Sequence, residues 1–146
     1  MKYIIAGGRD FNNRNVLYAV MNTIKKYGPS VGKPITEIVS GDARGADTLG
    51  AEWANVNGIS LIYFPAKWEM YGKSAGFIRN ADMGAYADAA IIFWDGESKG
   101  TKHMIQTMKK LGKPYSVFNY NGVLIESNGK EIKYKITSIE EITFSE

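Results

Sequence analysis

The stretch YIIAGGRDF, residues 3–11, decides how the rest of the chain is interpreted. Its first four residues form a short apolar run that ends in two glycines, which is typical of a buried β-strand turning sharply into a loop. Apolar residues then recur at helical spacing from Val16 to Ile24, and Asn12 or Asn13 can cap that helix. The chain is therefore predicted to begin with a strand, a glycine-rich turn and a helix.

The same alternation of strand and helix continues along the chain. Further strands are predicted over residues 35–40, 59–64, 89–94 and 115–118, with helices over 46–56, 75–86 and 101–111. Strands that alternate with helices of ten or more residues indicate βαβ units and a parallel sheet. We therefore predict an α/β protein with a Rossmann-like, open, mainly parallel five-stranded sheet flanked by helices.

The last residues of the chain follow a different pattern. The sequence SNGK, residues 127–130, separates the apolar stretches 123–125 and 132–136, and Asn-Gly between such stretches is typical of a β-hairpin. We expect residues 1–118 to form the ligand-binding domain. Residues 119–146 are expected to form a β-hairpin extension packed on that domain.

Composition excludes several classes of protein. The 146 residues contain no cysteine and one histidine, so disulfides, thiolate zinc sites, cysteine nucleophiles and multi-histidine metal sites are excluded, and we expect neither metal nor cofactor. The longest apolar run, residues 89–94, is too short to span a membrane, and the N-terminus is too short for a signal peptide. We expect a cytoplasmic protein without a membrane partner.

The net charge of +3 suits a small anionic ligand and argues against a nucleic-acid polymer.

In open α/β sheets, ligands bind outside the carboxyl ends of the strands, and the first loop at such an end follows β-strand residues 3–6. Gly7 and Gly8 allow the backbone to approach a ligand, Arg9 is a candidate for binding phosphate, and Asp10 is a candidate for binding a ribose hydroxyl. The alternative is a plain strand-to-helix turn with a capping aspartate.

The second loop, SGDARGAD at residues 40–47, lies directly before a predicted helix. Small residues at a helix N-terminus expose backbone N–H groups to an anion, and glycine allows a close approach of the ligand. The alternative is a helix cap made by an aspartate of this loop. The candidate ligand-binding residues are Ser40, Gly41, Arg44, Gly45 and Asp47.

The third loop, WDGESKGT at residues 94–101, also precedes a predicted helix and forms a second candidate cradle for an anion. Two such loops on separate strands favour ligand binding over a purely structural reading. The candidate residues are Asp95, Gly96, Ser98, Gly100 and Thr101.

A fourth candidate segment, residues 65–80, is rich in aromatic and basic side chains. Trp68 is a candidate for stacking on a base, and Arg79 with Asn80 for binding phosphate. The alternative is a loop whose aromatic rings cover the core. His103 lies on a predicted exposed helical face, where a solvated side chain is expected.

Together these motifs resemble the YspA-type branch of the SLOG superfamily, whose relatives include the LOG phosphoribohydrolases and the DprA DNA-processing proteins. The resemblance covers roughly residues 1–118 and is carried by GGRDF (7–11), SGDARGAD (40–47), Arg79-Asn80 and WDGESKGT (94–101), in that order. Members of this branch are common in bacteria and their phages. The resemblance implies a Rossmann-like sheet with a nucleoside monophosphate or an ADP-ribose-like ligand over the strand ends, and it favours a homodimer.

The same resemblance implies that the hydrolytic activity of the LOG enzymes is not fully preserved. Arg79 matches an arginine of the LOG enzymes, whereas Met104 stands where their catalytic glutamate acts on the N-glycosidic bond. The leading hypothesis is therefore a nucleotide-binding sensor or sequestering protein. The alternative is a nucleotide N-glycosidic hydrolase that uses Asp10, Asp47 or Asp95, with Arg79, as non-standard catalytic residues. The second alternative is DprA-like binding of single-stranded DNA.

Overall fold

One six-stranded sheet organises the computed structural model, which describes residues 1–128. The strands are β1 (Lys2–Gly7), β2 (Glu37–Ser40), β3 (Ser60–Tyr63), β4 (Ala89–Phe93), β5 (Tyr115–Phe118) and β6 (Leu124–Ser127). Their order is β3-β2-β1-β4-β5-β6, and the first five are parallel. The chain moves outward from β1 to β3 and then returns to β4 on the other side of β1. The strand order therefore reverses between β1 and β4, where an open α/β sheet leaves a crevice for a ligand.

Helices cover both faces of this sheet. They are α1 (Arg14–Tyr27), α2 (Ala46–Val56), the short α3 (Trp68–Tyr71), α4 (Ala75–Tyr86) and α5 (Lys99–Leu111), with 3₁₀ turns at Gly28–Val31 and Gly72–Ser74. Side chains of α1 and α2 share one buried cluster, and side chains of α4 and α5 share another. The α/β prediction is confirmed.

Alternation along β1 explains how the two layers of the core are separated. Tyr3 and Ile5 pack with α1 and α2, whereas Ile4 and Ala6 pack with α4 and α5, because successive side chains of a strand point to opposite faces. Trp53 of α2 is fully buried, and its Nε1–H donates to Asn22 Oδ1 over 2.8 Å. This hydrogen bond satisfies the indole N–H inside the α1–α2 layer.

The predicted number of five strands was wrong, because the residues after β5 complete the sheet. β6 pairs with β5 in antiparallel register, with Ser116 opposite Ser127, and covers an edge that would otherwise expose unpaired backbone groups. The other predicted strand of the hairpin, residues 132–136, lies outside the described residues. The division at residue 118 stays a prediction. No helix within residues 1–128 is long and apolar enough to cross a membrane.

Candidate functional site

A cavity of about 490 Å³ lies at the carboxyl ends of β1 and β4. Its volume falls within the range of small-molecule sites. Most of the predicted ligand-binding residues line it: Gly7, Gly8, Arg9, Asp10, Asp47, Trp68, Arg79, Asn80, Asp95, Ser98, Gly100 and Thr101. The sequence motifs from β1, β4 and α4 therefore converge on one space. Lys73, Phe77 and Met104 also contribute to its wall.

Five predicted residues lie outside this cavity. Ser40 is buried, and its Oγ accepts a hydrogen bond from the backbone N–H of Asp42 at 3.2 Å. Gly41 and Arg44 line a neighbouring cavity of about 340 Å³, and Gly96 adopts a positive φ of 85° in the turn before α5. Gly45, the fifth, belongs to the contact between the first two loops.

Gly45 allows two loops to pack together. Its φ is +77°, and a Cβ atom there would lie 2.2 Å from the carbonyl oxygen of Gly8. The next residue, Ala46, donates its N–H to that same carbonyl over 3.3 Å. We had expected Gly45 to permit the approach of a ligand to the start of α2. In the structure, its missing side chain makes room for the first loop instead, and part of the N-terminus of α2 is satisfied by protein.

Asp47 and Arg79 form the charged base of the cavity. Asp47 is only 5% exposed and accepts a hydrogen bond from the N–H of Ala43 at Oδ2 over 3.2 Å. Burial raises the pKa of Asp47 to about 6, and the positive charge of Arg79 opposes this rise. A Cβ atom at Gly41 would lie 2.7 Å from Arg79 Nη1 and 2.8 Å from Asp47 Oδ2. Gly41 therefore makes room for this pair of side chains.

Arg79 is held in place by its neighbours in the protein. Its Nη1 donates to the carbonyl of Gly41 over 2.5 Å, and its Nε donates to Asn80 Oδ1 over 3.0 Å. Burial lowers the pKa of this guanidinium, while Asp47 acts in the opposite direction. Because a guanidinium carries five N–H donors, these two bonds leave others for the cavity.

Asn80 positions other groups, although it was predicted to bind phosphate. It is buried, and its Nδ2 donates to the carbonyl of Gly100 over 3.1 Å and lies 3.3 Å from His103 Nδ1. It thereby connects α4 to the start of α5 while its Oδ1 orients Arg79. The expectation that His103 is solvated was wrong: its ring stacks on Phe77 with centroids 4.3 Å apart, and burial lowers its pKa.

The third loop keeps the N-terminus of α5 open toward the cavity. Asp95 Oδ1 accepts the N–H groups of Glu97 and Ser98, each at 2.8 Å, and these bonds lower the pKa of Asp95. Ser98 caps α5 by accepting the N–H of Thr101 at its Oγ over 3.4 Å. The N–H groups of the first helical residues, including Gly100, lie at the positive end of the helix dipole. Asp95 therefore builds the loop, which makes it a weak candidate for a base.

The first loop is supported by a residue that sequence reasoning missed. Tyr120 Oη donates to Asp10 Oδ1 over 2.6 Å, and its ring makes an edge contact with Phe11 at 5.0 Å. A Cβ atom at Gly8 would lie 1.8 Å from that hydroxyl. Burial and the Asp10 carboxylate raise the pKa of Tyr120, so the phenol stays protonated and donates. Tyr120 follows the fifth strand, where no local motif marked it.

Comparison with known proteins agrees with the fold and with the motifs. Residues 1–71 match the model of the YspA, cpYpsA-related SLOG family. Over these residues the chain is similar to members of that family. A curated relative, the Gene 61 protein of Mycobacterium phage D29, is 39% identical over 83 residues, which span 53% of this chain and 66% of the phage protein. The match covers just under two thirds of that relative.

Two solved structures share the fold. DNA processing protein A (DprA) from Streptococcus pneumoniae is similar with a TM-score of 0.58 and 14% identity, over 99% of this chain and 56% of that one. DprA from Helicobacter pylori, described for its single-stranded DNA binding mode, gives a TM-score of 0.59 and 20% identity, over 99% and 80% of the two chains. At these identities the similarity shows the fold alone.

Proposed function

We propose that this SLOG protein binds a nucleotide or nucleotide sugar, such as a nucleoside monophosphate or an ADP-ribose-like compound, in the cavity at the ends of β1 and β4. The observation that carries this proposal is the convergence of three kinds of group on one space. Arg79 and the N-terminus of α5 suit a phosphate, Asp10 suits a sugar hydroxyl, and Trp68 suits a base.

The phosphate belongs at the α5 side of the cavity. The first turn of α5 contains no acidic residue, and the Asp95 carboxylate just before it is bonded to the N–H groups of Glu97 and Ser98, so N–H groups of the first helical residues such as Gly100 are left for an anion. Arg79 and Lys73 line the same cavity and add positive charge. A helix N-terminus combined with a guanidinium held by protein carbonyl and amide groups is a pre-organised arrangement for an anion.

The base belongs at the mouth of the cavity, where Trp68 lies. The Trp68 side chain is 50% exposed, and the guanidinium of Arg9 lies 6.0 Å from the centre of its ring. An exposed indole beside a cation offers a surface for stacking, and stacking of one base on an aromatic side chain contributes about 1–3 kcal/mol. A ligand that spans from α5 to Trp68 would then place its sugar near Asp10.

The structure favours binding over hydrolysis, although one carboxylate supports a hydrolase as a second candidate. Met104 is 1% exposed and lines the cavity at the position of the LOG glutamate, and a thioether transfers no proton. Asp10 is bonded to Tyr120, and Asp95 holds its own loop. Asp47 is the carboxylate whose pKa, about 6, suits proton transfer near neutral pH, so base release by this protein would be expected to depend on Asp47.

Single-stranded DNA remains a third candidate, supported by exposed aromatic side chains near the same cavity. Trp68, Tyr71 and Phe77 are each 44–50% exposed, and Lys73 lies among them. A polymer would be recognised by several phosphates, so its affinity would fall steeply with salt, whereas a mononucleotide would show a shallow dependence. Titration of AMP and of an oligonucleotide at two salt concentrations separates these two candidates.

The main test compares Arg79→Gln with Arg14→Gln by isothermal titration calorimetry with AMP and ADP-ribose. Arg14 serves as a matched control because it pairs with Glu52 on the surface of α1, over 2.7 Å, and does not line the cavity. Loss of a hydrogen bond to a charged phosphate at Arg79 is expected to weaken binding by roughly 10- to 150-fold, and the control is expected to bind as the wild type does. Equal affinities of two folded variants would refute the proposed placement of the phosphate.

A further inference from the structure

Tyr120 lies outside the residues that match the family model, yet it contacts the first loop of the cavity. It belongs to the turn between β5 and β6, which is itself held by hydrogen bonds. Asn119 Oδ1 accepts the backbone N–H groups of residues 121 and 123 at 3.0 and 2.9 Å. Asn13, the cap of α1, donates its Nδ2 to the carbonyl of Tyr120 over 3.2 Å. The phenol is therefore presented by a turn with little freedom.

The contact fixes the carboxylate of Asp10 in one orientation. Oδ1 accepts the Tyr120 hydroxyl at 2.6 Å, and within residues 1–128 no hydrogen bond reaches Oδ2. Gly8 makes the contact sterically feasible, because a side chain there would collide with both the phenol oxygen and Oδ1. Asp10 also lines the cavity. One oxygen is thus bonded to the protein, and the other is left for a ligand.

A carboxylate accepts hydrogen bonds and donates none, so its natural partner on a nucleotide is a sugar hydroxyl rather than a phosphate. A ribose offers two neighbouring hydroxyl donors, whereas a 2′-deoxyribose has lost one. We propose that Asp10 and Tyr120 form a sugar-recognition pair, in which Asp10 accepts the 2′-hydroxyl of a ribonucleotide and Tyr120 is its positioning residue. This inference rests on the proposed function and gives it a specificity: ribonucleotides over 2′-deoxyribonucleotides.

The chemistry of Tyr120 fits a positioning role. A protonated phenol donates to Oδ1 and so restrains the carboxylate of Asp10, which lines the cavity, with Oδ2 left as an acceptor. The phenol is protonated at neutral pH, and burial together with the Asp10 carboxylate raises its pKa further above the ordinary value. Removal of the hydroxyl in Tyr120→Phe leaves the ring contact with Phe11 in place and frees the carboxylate to rotate.

The test measures the affinities of AMP and 2′-deoxy-AMP by calorimetry for the wild type, Tyr120→Phe and Asp10→Asn. The wild type is expected to prefer AMP by about tenfold or more, which is the loss expected for one hydrogen bond to a charged group. Tyr120→Phe is expected to reduce this preference several-fold while leaving the affinity for 2′-deoxy-AMP nearly unchanged. In the Asp10→Asn background, the same tyrosine substitution is expected to have no further effect on the preference.

Tyr86→Phe provides a matched control. Tyr86 also donates its hydroxyl to a carboxylate, that of Glu37, but this pair lies at the amino end of β2, whereas the cavity lies at the carboxyl ends of the strands. The control is expected to retain the full preference for AMP. Melting temperatures of all variants report on folding, and the ratio of the two affinities reports on sugar recognition, which a merely structural effect would not change.

Three outcomes would overturn the inference. Equal binding of AMP and 2′-deoxy-AMP by the wild type would refute sugar recognition and leave the proposed nucleotide function standing. A folded Tyr120→Phe variant that loses both ligands equally would show that Tyr120 supports the whole site and not the sugar contact. Binding of none of AMP, 2′-deoxy-AMP and ADP-ribose by the wild type would refute the proposed function, and this inference with it.

Discussion

The substitution Asp47→Asn should change how the stability of the protein depends on pH. In the native state the pKa of Asp47 is raised from 3.8 to about 6, because the carboxylate is buried at the base of the cavity. Between these two values the folded protein therefore binds more protons than the unfolded chain. The free energy of unfolding of the wild type must then fall as the pH rises through this window, since the unfolded chain is the state that ionises more easily.

The size of the effect follows from the same two values. Each pH unit between them corresponds to about 1.4 kcal/mol, which gives an upper limit of about 3 kcal/mol once Asp47 is fully ionised near neutral pH. Asparagine carries no charge and keeps an oxygen that can accept the N–H of Ala43, so it resembles the protonated acid. Relative to the wild type, Asp47→Asn should gain stability as the pH rises from about 4 to about 7.

Urea denaturation at a series of pH values measures this gain directly. The comparison is the difference between the wild type and Asp47→Asn, because the other carboxylates titrate alike in both proteins and cancel. Asp82→Asn, an exposed site on α4, is the control and should give a difference that does not vary with pH. A difference between the wild type and Asp47→Asn that is equally constant from pH 4 to pH 7 would refute the assignment of Asp47 as a buried acid with a raised pKa.

Three further substitutions test separate parts of the site. Gly45→Val should lower the melting temperature strongly, because its side chain would collide with the Gly8 carbonyl at a positive φ; thermal unfolding that matches the wild type would contradict the loop-packing role. Arg44→Ala should weaken AMP binding less than Arg79→Gln does, because Arg44 lines the neighbouring cavity. If calorimetry ranks the two variants in the opposite order, the phosphate site must be assigned to the second loop. The wild type should release base from AMP slowly or not at all, and Met104→Glu should release it faster, because a positioned acid or base contributes roughly 10²- to 10⁴-fold to the rate. Rapid release of base by the wild type in a mass-spectrometric assay would favour the hydrolase over the binding protein.

The fold was largely predictable because its signals are local. The apolar run of β1 and the helical spacing in α1 and α2 each specify an element from neighbouring residues, and the parallel sheet follows from their alternation. β6 was recognised as a strand but not as part of the sheet, since pairing with β5 is decided by contacts between distant residues.

The location of the site was predictable for the same reason, but the roles of its residues were not. Strand ends converge by topology, so the motifs containing Asp10 and Arg79 were expected at one edge. The direction of a side chain depends on packing, which the sequence motifs do not specify. Arg79 lines the cavity and Arg44 does not, although both were candidates. Tyr120 lies 110 residues from its partner Asp10, and a contact at that separation leaves no pattern in a single sequence.

The two glycine-rich loops that precede α2 and α5 differ in the first turn of the helix that follows each. In α2 that turn contains the carboxylate of Asp47, and the N–H of Ala46 is bonded to the first loop, so negative charge and protein contacts already occupy the position that an anion would take. In α5 the first turn has no acidic residue: the Asp95 carboxylate lies before the helix, its cap, Ser98, accepts the N–H of Thr101, and the cavity lies beside them. A carboxylate within the first turn competes with an anion for the positive end of the helix dipole. The proposed phosphate site therefore lies at α5, and the loop before α2 holds Asp47 and the neighbouring loop in place.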